Sequence, residues 1–429
     1  MKILLVSLNY APEPTGIAPY STGLAEFLAA EGHDVHVLSG IPHYPQWRNT
    51  TGARRWRSVA RSGRITHTRL RHYVPPGGTG AKRLLLELSF ALGVAVAPWG
   101  EPDVVVSVSP SLFASAAAMV RGRAMKLPSV VWVQDLYSRG VVELNGDEGA
   151  SARVLSWLES RTLRAASRVV VIHDRFGAFV HTALGVAPEN VTEIRNWAHL
   201  EATADPQGGE RVRSTYGWGQ RPIVLHCGNM GAKQGLEAVV AAARQAEEQR
   251  RSTLFVLLGD GSQRPMLEAA GAGCGNLQIL PPLPGSEFQD ALATADVLLL
   301  NEAEGVREMA LPSKLTTYFA AGKPVLAAVA LDGTSADELR AAGAGVVVPP
   351  GDATAMLDAT DALVADPQRA RDLGRAGQRY AESTLSDAGV FRRWQGLLRD
   401  VVAGAPSARA ASPLPASPAP AGETVPRTH

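Results

Sequence analysis

Three segments carry the residue types that chemistry needs. The first runs from Glu308 to Leu326 as Glu-Met-Ala-Leu-Pro-Ser-Lys-Leu-Thr-Thr-Tyr-Phe-Ala-Ala-Gly-Lys-Pro-Val-Leu. Pro312 and Ser313 are residues that start helices, so Lys314 falls in a first turn, where the positive end of the macrodipole disfavours a cation. A phosphate beside it would resolve the conflict, held jointly by backbone N–H groups and the ammonium. The alternative is that Lys314 extends into water, at a cost of roughly a few tenths of a kcal/mol.

The other two segments are loops, His226-Cys-Gly-Asn-Met-Gly-Ala-Lys-Gln-Gly235 and Asn9-Tyr-Ala-Pro-Glu-Pro-Thr-Gly-Ile17, each placed between an apolar run and a helical pattern. Gly16, Gly228 and Gly231 permit close backbone approach, and Lys233 adds a charge at a helix entrance. In open α/β sheets ligands bind beyond the carboxyl ends of the strands, so both loops should face a cleft. Neither loop is Gly-x-Gly-x-x-Gly or a P-loop, which disfavours NAD and ATP folds of the usual type. There is no Asp-x-Asp pair and no His/Cys metal spacing, so no metal site is expected and lysines and helix termini would have to neutralise a phosphate. When a nucleoside diphosphate departs, negative charge grows on the bridging oxygen, and preorganised cations there lower the barrier.

The elements that would position these loops alternate between strand-like and helical runs, which predicts an α/β architecture with parallel sheets. Strands are expected at 3–8, 35–38, 104–109, 130–134, 168–172 and 191–194, and in a second round at 223–226, 254–258, 277–280, 297–300, 325–329 and 346–348. A first domain is read over 1–198 and a second over 199–385, joined where Gly, Pro, Asp and Glu displace the apolar residues. Beyond Asp352 the pattern is helical to about Val402, and 403–429 is an Ala/Pro/Ser tail expected to be disordered.

Composition sets the outer bounds. With 429 residues, 45% hydrophobic and 19% charged, the chain can fill two cores. Cys227 and Cys274 are too few for a disulfide framework; they read as buried small hydrophobes in a reducing cytosol, and the start is too short in its apolar run for a signal peptide, so a cytoplasmic location is expected. A net charge of +1 offers no field for nucleic acid. From Arg48 to Arg83, however, there are ten basic residues and no acid, with Trp47, Trp56 and Tyr73 nearby and the apolar stretch 84–99 following. Peripheral contact with an anionic membrane is one reading; the other is that the arginines solvate ordinary strands while 84–96 packs in a core.

Residues 1 to about 400 resemble the retaining glycosyltransferases of family four with the GT-B fold, in particular the bacterial colanic acid and O-antigen fucosyl- and N-acetylfucosaminyl-transferase group. The resemblance rests on Met1 to Gly16 with its Pro-Glu-Pro-Thr-Gly, on Ser39-Gly-Ile-Pro-His-Tyr-Pro45, on Val133-Gln-Asp-Leu-Tyr137, on Gly228 through Leu236, on Gly259-Asp-Gly261 and on Leu311-Pro-Ser-Lys-Leu315 through Pro324. It implies two Rossmann-like domains facing a cleft, with a final helix, 386–402, crossing back onto the first. It also implies a nucleotide-sugar donor bound mostly by the second domain, a UDP-sugar favoured over GDP- or TDP-sugars, and a glycan or lipid-linked acceptor held by the first. No further cofactor and no metal are implied. Gly16, Gly228, Asn229, Lys233, Gly259, Asp260, Leu283, Ser313 and Lys314 would contact the donor, and Asp135, Glu308 and Lys314 would be the catalytic set.

The chain departs from the family pattern in places. Two glutamates eight positions apart are replaced by Met309 and Thr317, with Glu308 taking the first role and Lys314 the second by gripping phosphate. Asn229 stands where the family has arginine, and Gln134-Asp135 where it often has His-Asp. Asp135 is either part of the catalytic set or a loop cap, and His173 is read as a satisfied structural histidine. The rival functions are a nucleotide-sugar 2-epimerase on the same scaffold and a degenerate homologue that only binds a nucleotide sugar.

Overall fold

The computed structural model describes residues 1–13, 16–44, 46–52, 55–76, 80–140, 149–198, 207–307 and 313–404. Glu308 and Met309, part of the Pro-Glu-Pro-Thr-Gly loop, most of the interdomain junction and nearly all of the Ala/Pro/Ser tail lie outside the described residues.

The first sheet contains β1 (Lys2–Ser7), β2 (Asp34–Gly40), β3 (Arg57–Ser62), β4 (Ile65–Leu70), β5 (Val104–Ser109), β6 (Ser129–Val133), β7 (Arg168–Val171) and β8 (Val191–Glu193), in the order β3-β4-β2-β1-β5-β6-β7-β8. All neighbours are parallel except β3, which pairs antiparallel with β4. The second sheet is wholly parallel: β9 (Ile223–Asn229), β10 (Leu254–Asp260), β11 (Leu277–Leu280), β12 (Val297–Asn301), β13 (Val325–Ala328) and β14 (Gly345–Val348), ordered β11-β10-β9-β12-β13-β14. Central strands such as Val-Val-Val-Ser-Val-Ser in β5 are buried along their length, as helices on both faces of a parallel sheet require.

The hairpin β3–β4 is absent from the strands expected from sequence. Arg57-Ser-Val-Ala-Arg-Ser is exposed at every position, so it shows no buried alternation, and only the tight Gly63-Arg64 turn hints at it. The basic segment therefore supplies a solvated sheet edge, and its like charges suit an edge that must not pair with another chain.

After β14, Asp352 and Asp366 cap consecutive helices, Ala353–Ala365 and Pro367–Thr384, by accepting the N–H groups of Ala355 and Arg369. The final helix, Asp387–Ala403, buries Val390, Trp394, Leu398 and Val401 in the core of the first domain. Trp394 meets Trp132 edge-on at 4.8 Å, and Phe391 stacks on Phe27 at 4.3 Å. These contacts return the chain to the domain where it began.

Candidate active site

The carboxyl ends of the two sheets meet. The Tyr20 hydroxyl lies 3.4 Å from Thr316 Oγ1, and the first domain's His173, Arg175 and Arg195 reach Glu338, Asp337 and the Asp332 carbonyl of the second. Glu338 is buried and also accepts from the Tyr380 hydroxyl at 3.2 Å. A charge so placed demands partners, and Arg195 with His173 supplies them across the domain boundary. His173 also accepts the Arg175 N–H at 3.1 Å as the cap of helix Asp174–Thr182, so it is structurally satisfied.

On the second-domain side, β9 and β10 stay in register to their last residues, setting Gly228 against Gly259 and Asn229 against Asp260. Both glycines have backbone conformations that side chains rarely adopt, φ +116° at Gly228 and +150° at Gly259. A Cβ at Gly259 would fall 1.9 Å from the Gly228 carbonyl oxygen, which no side chain can tolerate. The result is a concave strip of bare backbone. Asp260 is exposed at its rim and accepts the Gly261 N–H, while Leu283, in the loop after β11, is partly buried against the second-domain core.

Lys314 begins the short helix Lys314–Ala320, and Ser313 before it makes no side-chain cap bond, contrary to the expectation that it starts the helix by capping. Nor does the ammonium extend into water. Lys314 Nζ lies 3.1 Å from His226 Nε2, under the turn at Gly228, whose Cβ would sit 3.8 Å from Lys314 Cε. His226 is fully buried, and burial with the nearby ammonium holds its imidazole well below the usual range, so it is neutral. Its Nδ1 is 3.2 Å from the Leu299 carbonyl; that bond places the proton on Nδ1 and leaves Nε2 to accept from Lys314. Burial pushes Lys314 down to about 8, which still leaves it charged at neutral pH.

Lys233 occupies the 3-10 turn Ala232–Gln234, its carbonyl accepting the Ala303 N–H at 2.8 Å. Gln234 Oε1 accepts the Gly231 N–H at 3.1 Å, with Asn229 Nδ2 at 3.5 Å. Gly228, Asn229, Lys233, Gly259, Asp260 and Lys314 are thus brought to the ends of two adjacent strands. Glu308 lies outside the described residues.

On the first-domain side, Gly16 lies next to the Tyr44 ring, with a Cβ there 3.6 Å from Tyr44 Cε1. Asp135 follows β6, its carbonyl accepting from Ser109 Oγ. Burial first, then the Asp135 carboxylate, pushes the Tyr44 phenol up. Gln134 is engaged elsewhere: it exchanges two hydrogen bonds with Asn196, at 3.0 and 2.7 Å, in a buried amide pair.

Sequence reasoning missed the residue that organises this side. Glu13 is buried and accepts the N–H groups of His43 and Tyr44 at 2.7 and 2.9 Å and the Asn9 amide at 2.8 Å. Burial still pushes its carboxyl up despite those three bonds. Glu13 ties the first loop to the 41–47 loop, where Trp47 is held at φ +52° and set edge-on to Tyr44 and His43. A bulky residue in that conformation is uncommon and marks a constrained loop. The signal was a lone glutamate between two prolines. His226 was missed as well, although it stood in the quoted loop, because nothing local pairs it with Lys314.

Two family models match the chain, a glycosyl transferase 4-like domain over residues 15–197 and glycosyl transferases group 1 over 221–366. The chain is 30% identical over 414 residues to a protein of Escherichia coli K12 named as the colanic acid biosynthesis glycosyl transferase WcaI, covering 92% of this chain and 98% of that one. Sucrose-phosphate synthase of Thermosynechococcus elongatus shares the fold with a TM-score of 0.71 at 18% identity, over 94% of this chain and all of that one. Anabaena HepE in complex with UDP does so at 0.66 and 14%, over 93% of this chain and all of that one. With the paired parallel-sheet domains and their facing loops, these matches establish that the chain belongs to the family-four glycosyltransferases of GT-B fold.

Proposed function

We propose that the protein transfers a sugar from a nucleotide-sugar donor held by the second domain to a glycan or lipid-linked acceptor presented by the first, in cell-surface polysaccharide synthesis. The acceptor hydroxyl oxygen bonds to the anomeric carbon and loses its proton. The bond from that carbon to the diphosphate oxygen breaks, and the nucleoside diphosphate leaves. Retention of configuration follows the family.

The observation that carries this reading is the bare backbone of Gly228 and Gly259 with the Lys314 ammonium beneath it. A phosphate resting there would meet backbone and an ammonium whose hydrogen bond goes to the neutral His226, with the Glu302 carboxylate acting on it only electrostatically. Stabilising the departing diphosphate is the task such a preorganised cation performs. In this reading the reaction runs on lysines and backbone without a metal. Glu308 would contact the donor sugar, Ser313 and Leu283 the nucleotide, and Asp135 the acceptor side. A UDP-sugar is the favoured donor, by analogy with HepE, whose complexes hold UDP and UDP-glucose. The polysaccharide role follows WcaI. The site of action is the cytoplasmic face of the membrane.

Thermal unfolding with UDP, GDP and TDP, each with and without EDTA, tests the donor half. UDP at a hundred times its dissociation constant should add about 2.7 kcal/mol, unaffected by EDTA. Incubation with a UDP-sugar and no acceptor should give slow hydrolysis at most; rapid conversion to its 2-epimer would sink the transferase reading.

A further inference from the structure

The turn that carries Lys233 is held from outside. It is a single 3-10 turn, Ala232–Gln234, and the carbonyls of Lys233, Gln234 and Gly235 all find donors at the end of β12. Asn301 Nδ2 donates to the Gln234 carbonyl at 2.7 Å and to the Gly235 carbonyl at 2.9 Å, and the Ala303 N–H donates to the Lys233 carbonyl at 2.8 Å. Gly235 lies at φ +53°, and a Cβ there would fall 2.8 Å from Ala303 Cα, so the turn also packs directly on that backbone. Asn301 is 1% exposed; its amide N–H groups are engaged by the turn, while Oδ1 has no hydrogen-bond partner among the described residues. Turning the amide over would set Oδ1 against two carbonyls, so the donors define its orientation. An unpaired buried acceptor destabilises, and an asparagine kept in spite of it is one whose donors are needed.

Glu302, between these two residues, acts on the other lysine. Its N–H continues the pairing with β13 through the Ala328 carbonyl, and its buried carboxylate accepts the Ser335 hydroxyl at 2.7 Å. Ser335 lies in the first turn of helix Thr334–Ala342, which has no side-chain cap of its own, so the macrodipole favours a carboxylate there. Asp337 and Glu338 of the same helix bind the first domain's Arg175 and Arg195, which holds the helix in place. Burial pulls the Lys314 ammonium down, and the Cys227 side chain and the Glu302 carboxylate oppose that pull. With the neutral His226, these are the ionisable groups that face Lys314 among the described residues.

We propose that Asn301, Glu302 and Ala303 are one positioning segment for the donor-phosphate site, in which Asn301 and Ala303 hold the turn of Lys233 and the Glu302 carboxylate, fixed by Ser335, balances the Lys314 ammonium. The three are consecutive, so they set the two cations relative to each other from a single strand end. A diphosphate presents charges at a fixed spacing, and cations already at that spacing stabilise it without rearrangement. That use of the segment rests on the assignment of both lysines to the donor; the positioning itself does not.

Measurements on the free protein keep the two separable. Asn301→Asp sets a carboxylate against the Gln234 and Gly235 carbonyls, and Asn301→Ala removes the donors altogether. Hydrogen exchange over residues 231–237, read by mass spectrometry, should speed up about tenfold or more in the first variant and less in the second, with exchange in β1 and β5 unchanged as proof of folding. In Glu302→Gln the carboxylate that opposes burial is gone, so Lys314 falls below about 8 in the folded protein. The rise of stability with pH, followed by chemical denaturation, should then set in at lower pH than in wild type. Exchange in the turn as slow in both Asn301 variants as in wild type, or an unshifted onset in Glu302→Gln, would overturn the proposal. Calorimetry with UDP tests the donor assignment on the same proteins: the dissociation constant should rise about tenfold in Asn301→Asp. A loosened turn with UDP affinity kept would support the positioning and take Lys233 out of the donor site, so that failure would belong to the donor assignment alone.

Discussion

On the second-domain side of the cleft, backbone shapes the site: at the ends of β9 and β10 Gly259 has no room for a side chain against the Gly228 carbonyl, Gly228 is held at φ +116°, and a Lys–His pair lies beneath them. On the first-domain side, side chains do the shaping. Glu13 gathers two loops through three hydrogen bonds, Gln134 and Asn196 lock each other, and Tyr44 and Trp47 line what is left. A backbone cradle recognises a feature common to many donors, the diphosphate. A side-chain lining is easily altered residue by residue, which suits the half that must fit a particular acceptor.

If that contrast is right, substitutions on the two sides should fail differently. Gly259→Ala is expected to have the largest effect, because its Cβ would collide with backbone and not with a movable side chain. The variant should lose more than about 3 kcal/mol of stability by chemical denaturation and all UDP stabilisation. Normal UDP binding by a stable Gly259→Ala protein would show that the cradle is not rigid.

Next comes Lys314→Met. Losing a charge-assisted contact of about 1.5–3 kcal/mol should raise the UDP dissociation constant roughly tenfold to a hundredfold, read by titration calorimetry, and lower kcat as well. Unchanged binding in the folded variant would remove the ammonium from the donor site.

Glu13→Ala should lie third. Leaving the His43 and Tyr44 N–H groups unpaired costs about 1–3 kcal/mol, and the effect should appear in the acceptor KM with UDP affinity kept. Glu13→Gln, which keeps an accepting oxygen, should restore much of it. An equal loss of donor binding would erase the distinction between the two sides.

The smallest effect is that of pH. Lys314 drops from 10.5 to about 8 on folding, so between those values the unfolded chain binds the extra proton and stability of the free protein rises with pH; this contribution is lost as pH falls through about 8. The slope should vanish in Lys314→Met. Donor affinity runs the other way, weakening about tenfold between pH 7 and 9 as the ammonium loses its proton.

Much of the scaffold was legible because strand periodicity, glycine turns and helix caps are written within a few residues of one another. The helical run beyond Asp352 and the loop at Gly228 each announce themselves locally, whereas the break at Asp366 between two helices does not. The hairpin β3–β4 did not, since an all-exposed strand has no buried alternation to read. Nor did the setting of Lys314, whose partner His226 lies 88 positions earlier.

The amino-acid sequence by itself determined the two rounds of parallel strands, the glycines that end two of them and the lysines nearby, because those depend on local sterics and on which side chains avoid water. Only the tertiary structure decided that Lys314 lies under Gly228 against a neutral imidazole, that Glu13 joins two loops, and that Asn301 and Ala303 hold the turn of Lys233. Each of these depends on sheet order, which brings together residues that no local pattern relates.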